Sequence, residues 1–368
     1  NRVAGPVALL RATFVKLGVL PFFLVAALIL FTIASRQFLT LDNITNVARQ
    51  SVYLVLVSLG QMLVLVTGGF FLPGLLVGTS IAYSTLTTIA FVTVICYGVD
   101  IVLSYLGEVS LGHTLFWAVG GYAAANLSVK YGMNGWSTAA ATIALCIVAA
   151  GFLGAVTLRT REFVFSLVTY AAAVVAYEIA FNWDAIGGSD GIVGISALKL
   201  PFGFATYVGG TQEELWPVAF ALLLLTLAFI ARFRRSRLGT TALMVQMNPP
   251  LAASLGVDPR KVRLAVFVIS APITGLAGWL YAYQRAYVGP DMFETYFLVM
   301  MLTAVVVVGR RVLVGPLIGT AILIAQQNLL SLGGDWNKII LGSVLALVLI
   351  FWPAGLIGLL RRFGKARA

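Results

Sequence analysis

An all-α polytopic membrane protein with about 10–11 transmembrane helices is what this sequence predicts, and three observations carry the prediction. Sixty per cent of the 368 residues are apolar and ten per cent are charged, with a mean hydropathy of +1.00, whereas a soluble domain carries roughly a quarter of its residues charged. Apolar runs recur along the chain, and most approach the roughly 20 residues a helix needs to cross hydrocarbon. The runs are unbroken rather than alternating, which excludes a transmembrane barrel and leaves helices to satisfy the backbone inside lipid.

The first run, 17–34, follows Arg2, Arg11 and Lys16, and 52–66 comes next. Segment 70–79 is ambiguous and precedes the long run 80–105, after which comes 111–129. Arg159 and Arg161 separate 136–158 from 163–181, which leads into 185–214, a segment with Gly, Pro and acidic residues. Run 215–231 stops at Arg232, Arg234, Arg235 and Arg237, and the polar stretch 232–263 divides it from 264–283. Runs 293–308 and 314–330 flank Arg310 and Arg311, and 339–352 precedes Arg361, Arg362 and Arg367. Basic residues in short loops stay in the cytoplasm, so both termini are expected there and 185–214 outside. Two inside termini require an even number of crossings, so one of these runs is not a full span. Residue 1 is Asn, which predicts a start further upstream.

The net charge of +11 does not call for nucleic acid, because the basic residues sit at span ends, where topology explains them. Cys96 and Cys146 lie apart in apolar runs, and His113 is the single histidine; no disulfide framework, zinc set or Cys–His pair is expected. No enzyme is predicted, and no metal or cofactor in this chain. The Gly-Lys dipeptide occurs once, at Gly364-Lys365 near the end, so there is no phosphate-binding loop. If ATP drives the protein, ATP and magnesium bind on another subunit.

The stretch 232–263 carries six Arg and one Lys and reads as a cytoplasmic segment. Within it Asn248 can cap a short helix that begins with Pro249-Pro250, whose missing N–H groups cost nothing in a first turn, and Gly256 can end it in the left-handed conformation. A rigid, doubly capped helix of about 249–255 suits a docking surface; the alternative is an ordinary loop anchored by its charged ends.

Three pieces, Ser236 to Leu243, Asn248 to Val257 and Lys261 to Gly278, resemble the permeases of branched-chain amino acid ABC importers. So do Gly107-Glu-Val-Ser-Leu-Gly-His113, Gly187-Gly-Ser-Asp-Gly191 with Gly194-Ile195, and Pro353-Ala-Gly-Leu-Ile-Gly358. The resemblance covers 71–362, with a coupling segment at 232–263 and a cytoplasmic tail at 363–368. It implies the ABC importer permease fold in the cell membrane, with no catalysis in this chain. Implied partners are a second permease subunit, identical or different, two ATP-binding cassette subunits, an extracytoplasmic solute-binding protein and the lipid bilayer. It assigns Asn248, Pro249, Pro250, Leu251, Ala252, Ser254, Leu255 and Gly256 to docking on the ATPase. The family often carries acidic residues where Asn248, Pro249 and Pro250 stand.

Candidates for the translocation path are Asp100, Glu108, His113 and Glu178. A spacing of eight puts Asp100 and Glu108 about two turns apart on similar faces of a helix; pairing with basic residues of a partner subunit is the alternative. His113 is expected to make a packing hydrogen bond. Glu178 must face protein or water rather than mid-bilayer lipid, and its place near a span end also suits snorkelling. Gly187, Gly188, Ser189 and Asp190 form an external turn that could meet a binding protein. Gly74 with Gly78, and Gly315 with Gly319, allow close helix approach.

Residues 38–69 resemble the opening of ribose-type sugar permeases, so the 1–70 region and the chain after Phe71 look like two openings in series. A fusion, a splice across a missing internal segment, or extra helices would each produce this. The function expected is uptake of branched-chain amino acids or a related small polar solute such as an amide or urea. A sugar importer and an ion-coupled transporter, with Asp100, Glu108 or Glu178 as the ion site, are the alternatives.

Overall fold

A computed structural model of the chain describes residues 68–72, 80–157, 162–203, 205–330, 339–340, 342–346, 348 and 355. The chain divides into two units, Asn1–Leu72 and Pro73–Ala368; in the first, the described residues 68–72 are helical. The expectations for runs 17–34 and 52–66, for the sugar-permease-like residues 38–67, for Gly74 with Gly78 and for the tail 363–368 lie outside the described residues. Run 339–352 and the motif at 353–358 are described only in part.

The second unit is helical in the order α1 Ser80–Tyr105, α2 His113–Tyr131, α3 Gly135–Thr157, α4 Glu162–Asn182, α5 Gln212–Arg235, α6 Arg237–Met247, α7 Pro249–Ser254, α8 Pro259–Arg285, α9 Thr295–Val308 and α10 Gly315–Leu330. Local chemistry starts and stops them. Thr211 and Glu214 form a reciprocal capping box at the head of α5, and Arg232, Arg234 and Arg235 fill its last turn, where cations suit the helix dipole. Ser236 accepts from Gly239 N at 3.1 Å and so caps α6 directly after α5.

Among the described residues, α1, α3, α4, α5 and α8 are long and apolar enough to cross a membrane. The 19-residue α2 is not in that set, which corrects the reading of 111–129 as an ordinary lipid-spanning run. It is lined with His113, Thr114, Asn126, Ser128 and the two glycines Gly120 and Gly121, and 13 of its residues are buried, packed against α8, α3 and α1. Its polar groups are tolerable because neighbouring helices, not lipid, surround it. The core is therefore α1, α2 and α8: 83% of the apolar window of α1 is buried, against 22% in α3 and in α4.

Segment 185–214, expected outside the membrane, takes part in two short antiparallel pairings. Strands β2 Leu198–Pro201 and β3 Thr206–Gly209 form a hairpin, and β1 Ile192–Val193 pairs with β4 Tyr287–Val288 beyond α8. Strands of two to four residues leave the all-α class intact. Of the pair Gly315 and Gly319, only Gly319 meets another helix: a Cβ there would stand 1.9 Å from Ala304 O on α9.

Candidate functional site

The basic end of the second unit is built around α7. Asn248 Oδ1 accepts from Leu251 N at 3.1 Å, with Pro249 and Pro250 in the first turn. The far end closes when Gly256, at φ +83°, donates to Ala253 O at 3.0 Å and Val257 donates to Ala252 O at 3.1 Å. Asp258 then caps α8 through Arg260 N at 3.0 Å and Lys261 N at 3.4 Å. The helix is thus stitched at both ends, and Ala252 anchors its inner face at 0% exposure. Outward it presents Leu251 and Leu255, 54% and 64% exposed, beside Met244 and Met247 of α6. Exposed apolar side chains on a short capped element suit an interaction surface.

Because Asn248 and Gly256 hold the two ends, Asn248→Ala is expected to weaken α7 by about 1 kcal/mol. Gly256→Ala should cost about 1–2 kcal/mol, since a Cβ strains the left-handed conformation. Faster hydrogen exchange at the amides of Leu251 to Leu255, with other helices unchanged, is the readout.

Asp100 and Glu108 do not share a helix face. Helix α1 ends at Tyr105, and Gly107 at φ +74° turns the chain back. Asp100, buried, accepts from Ser104 Oγ at 2.5 Å. Glu108, also buried, pairs with Arg263 of α8, so the basic residue it meets belongs to its own chain. His113 is fully buried between Ser110 Oγ at 2.9 Å from Nδ1 and Ser270 Oγ at 3.2 Å from Nε2, with Phe116 and Phe267 edge-on to its ring.

Glu178 stands apart from these three. Thr169 of α4 touches the segment after Glu108, accepting from Leu111 N at 3.2 Å, and Glu178 lies nine residues further, about 13 Å along the helix. It is exposed and accepts from Asn182 Nδ2 at 3.2 Å, in an open hollow lined by Val174, Val175, Ile179 and Trp183. An exposed carboxylate bonded to Asn182 near the end of α4 suits snorkelling, and Glu178→Gln is expected to change uptake less than about two-fold, measured in whole cells.

At the acidic end, two consecutive 3₁₀ turns, Asp184–Ile186 and Gly188–Asp190, meet at Gly187. The β1–β4 pairing joins them to the segment after α8. There the Tyr287 hydroxyl is held above its ordinary pKa, first by burial and then by the carboxylates of Asp291 and Asp190. Nothing in the residue pattern hints that these two loops form one surface.

Arg263, Gln246, Ser104 and Arg311 are likewise functional candidates that the residue pattern does not single out. Arg311 Nε donates to Ser104 O and its backbone N to Ser104 Oγ, both at 3.1 Å, while its guanidinium also reaches Gln246 Oε1. Arg263 had one legible signal: it lies five residues past its helix cap, too deep for a simple end charge. Among the described residues no three His, Cys, Asp or Glu side chains gather as a metal site.

A family model described as the permease component of branched-chain amino acid transport systems matches residues 81–351. Relatives include the high-affinity branched-chain amino acid transport system permease protein LivM of Escherichia coli K12, 29% identical over 286 residues, 72% of this chain and 67% of that protein. LivM of Salmonella typhimurium LT2 is 28% identical over 303 residues, 77% of this chain and 71% of its own. The permease protein LivH of the same Salmonella strain is 25% identical over 296 residues, 72% and 90% of the two chains. No solved structure matches.

Proposed function

The chain belongs to the family of permease components of branched-chain amino acid transport systems, and we propose on that basis that it imports a branched-chain amino acid, or a closely related small polar solute, driven by ATP hydrolysed on two separate cassette subunits. The observation that carries this reading is α7: a capped helix with exposed Leu251 and Leu255 at the basic end of the unit. Positive charge keeps that end, and both termini, in the cytoplasm. ATP and magnesium bind on the cassettes, which dock on 248–256. A second permease subunit completes the path, and a binding protein delivers solute to the surface that includes 187–190. Family membership does not favour a sugar importer or an ion-coupled transporter.

Uptake of radiolabelled leucine into proteoliposomes holding the assembled complex and ATP inside tests the proposal. Accumulation that requires internal ATP and survives dissipation of the ion gradients is expected. Uptake that ignores ATP and collapses with the gradient overturns it.

A further inference from the structure

A segment that docks an ATPase must pass its displacement to the spans, and the structure holds a specific contact for this. Helices α6 and α7 meet at Asn248, and α7 is bonded to the start of α8 through Val257 N and Ala252 O. A push on α7 therefore moves the end of α6 and the first turns of α8 with it. Both of those touch the segment between α1 and α2. The side chain of Gln246, at the end of α6, lies against Gly107, where a Cβ would come within 2.8 Å of Nε2. Arg263, in α8, grips Glu108. The same segment is bonded to α4, since Ser166 Oγ donates to Val109 O at 2.5 Å and Leu111 N donates to Thr169 Oγ1 at 3.2 Å. Residues 106–112 are thus a hub between the docking helix and the spans α1 and α4.

We propose that Glu108 and Arg263 are positioning residues for transport: their buried ion pair carries the displacement of α7 into residues 106–112 and from there into α1 and α4. The inference rests on the importer reading. A buried pair is a poor device for stability alone, because apolar side chains of similar volume hold the same gap without desolvating two charges. What apolar side chains lack is direction. A charge pair resists being pulled out of register, because each ion separated from its partner is left uncompensated in a low-dielectric interior.

The test uses the complete complex in proteoliposomes, comparing wild type, Glu108→Gln, Arg263→Gln, the exchange Glu108→Arg with Arg263→Glu, and the apolar pair Glu108→Met with Arg263→Met. Leucine taken up per ATP hydrolysed is the readout, with cassette content of each preparation measured alongside. The single variants are expected to keep their cassettes and lose at least five-fold in uptake per ATP, the apolar pair to assemble normally yet stay equally uncoupled, and the exchange to regain at least half of the wild-type ratio. An apolar pair that assembles and couples as wild type overturns the proposal, as do single variants within two-fold of wild type. A wild-type complex that carries no cassettes overturns the importer reading, and the role of the pair with it.

Discussion

Replacing Leu251 and Leu255 together by Asp is expected to strip the cassette subunits from the purified complex. Both side chains are more than half exposed, so the permease itself has little to lose and should keep its elution volume in detergent. Fully burying a Leu side chain contributes about 1.5–3 kcal/mol, and with 54% and 64% of the two still exposed docking gains about 2–4 kcal/mol from them together. At about 1.4 kcal/mol per tenfold in affinity, that is on the order of 10- to 10³-fold, before the cost of desolvating two carboxylates. Pull-down of the cassettes on a tagged permease reads it directly. The residues of α7, Pro249 to Ser254, include no charged side chain, unlike the acidic pattern common in the resembled family. Docking through α7 should therefore tolerate 1 M salt, where the Debye length falls to about 3 Å. Cassettes that remain bound to the double variant, or wash off wild type in salt, would show that the energy lies in the surrounding arginines instead.

The parts of this site that the sequence reveals are those made by neighbours in the chain. Asn248, Pro249, Pro250 and Gly256 act on backbone groups within four residues, so a cap at one end and a left-handed glycine at the other are readable without a fold. Run 264–283 likewise finds α8, and misses its ends, Pro259 and Arg285, because the first turn of a helix at a membrane surface is polar. Glu108 and Arg263 are 155 residues apart. Their contact depends on where α1 stops, and the helical spacing that seemed to align Glu108 with Asp100 does not survive the turn at Gly107. Burial is the other illegible quantity. In a soluble helix the apolar stripe marks the core, but helices apolar all round do not distinguish protein from lipid. Only the polar residues of α2, which also hold its hydropathy below that of the membrane-crossing helices, pointed inward.

Packing of α2 on α8 makes the second large effect. A Cβ on Gly278 would stand 1.9 Å from Trp117 O, and one on Gly120 would stand 2.0 Å from Gly275 O. Both obstacles are backbone, so no rotamer change relieves them and the helices must part. Separation here has no slack, because Gly275 faces α3 on its other side, where a Cβ would come within 2.3 Å of Cys146 Sγ. Helices in a membrane are held by such close packing rather than by a hydrophobic drive between them. Overpacking a core by one methylene group costs about 1–3 kcal/mol, and a backbone clash between two core helices belongs at or above the upper end. Gly278→Ala is expected to lower the midpoint of thermal aggregation in detergent by on the order of 10 °C, and Gly278→Val to prevent recovery of a monodisperse protein. Gly151 of α3 supplies the control: a Cβ there would meet no heavy atom within 4 Å, so Gly151→Ala should be neutral or stabilising by up to about 1 kcal/mol. Equal midpoints for Gly278→Ala and Gly151→Ala would mean that α2 and α8 part without cost, and that the centre of the fold is looser than the interlocked glycines require.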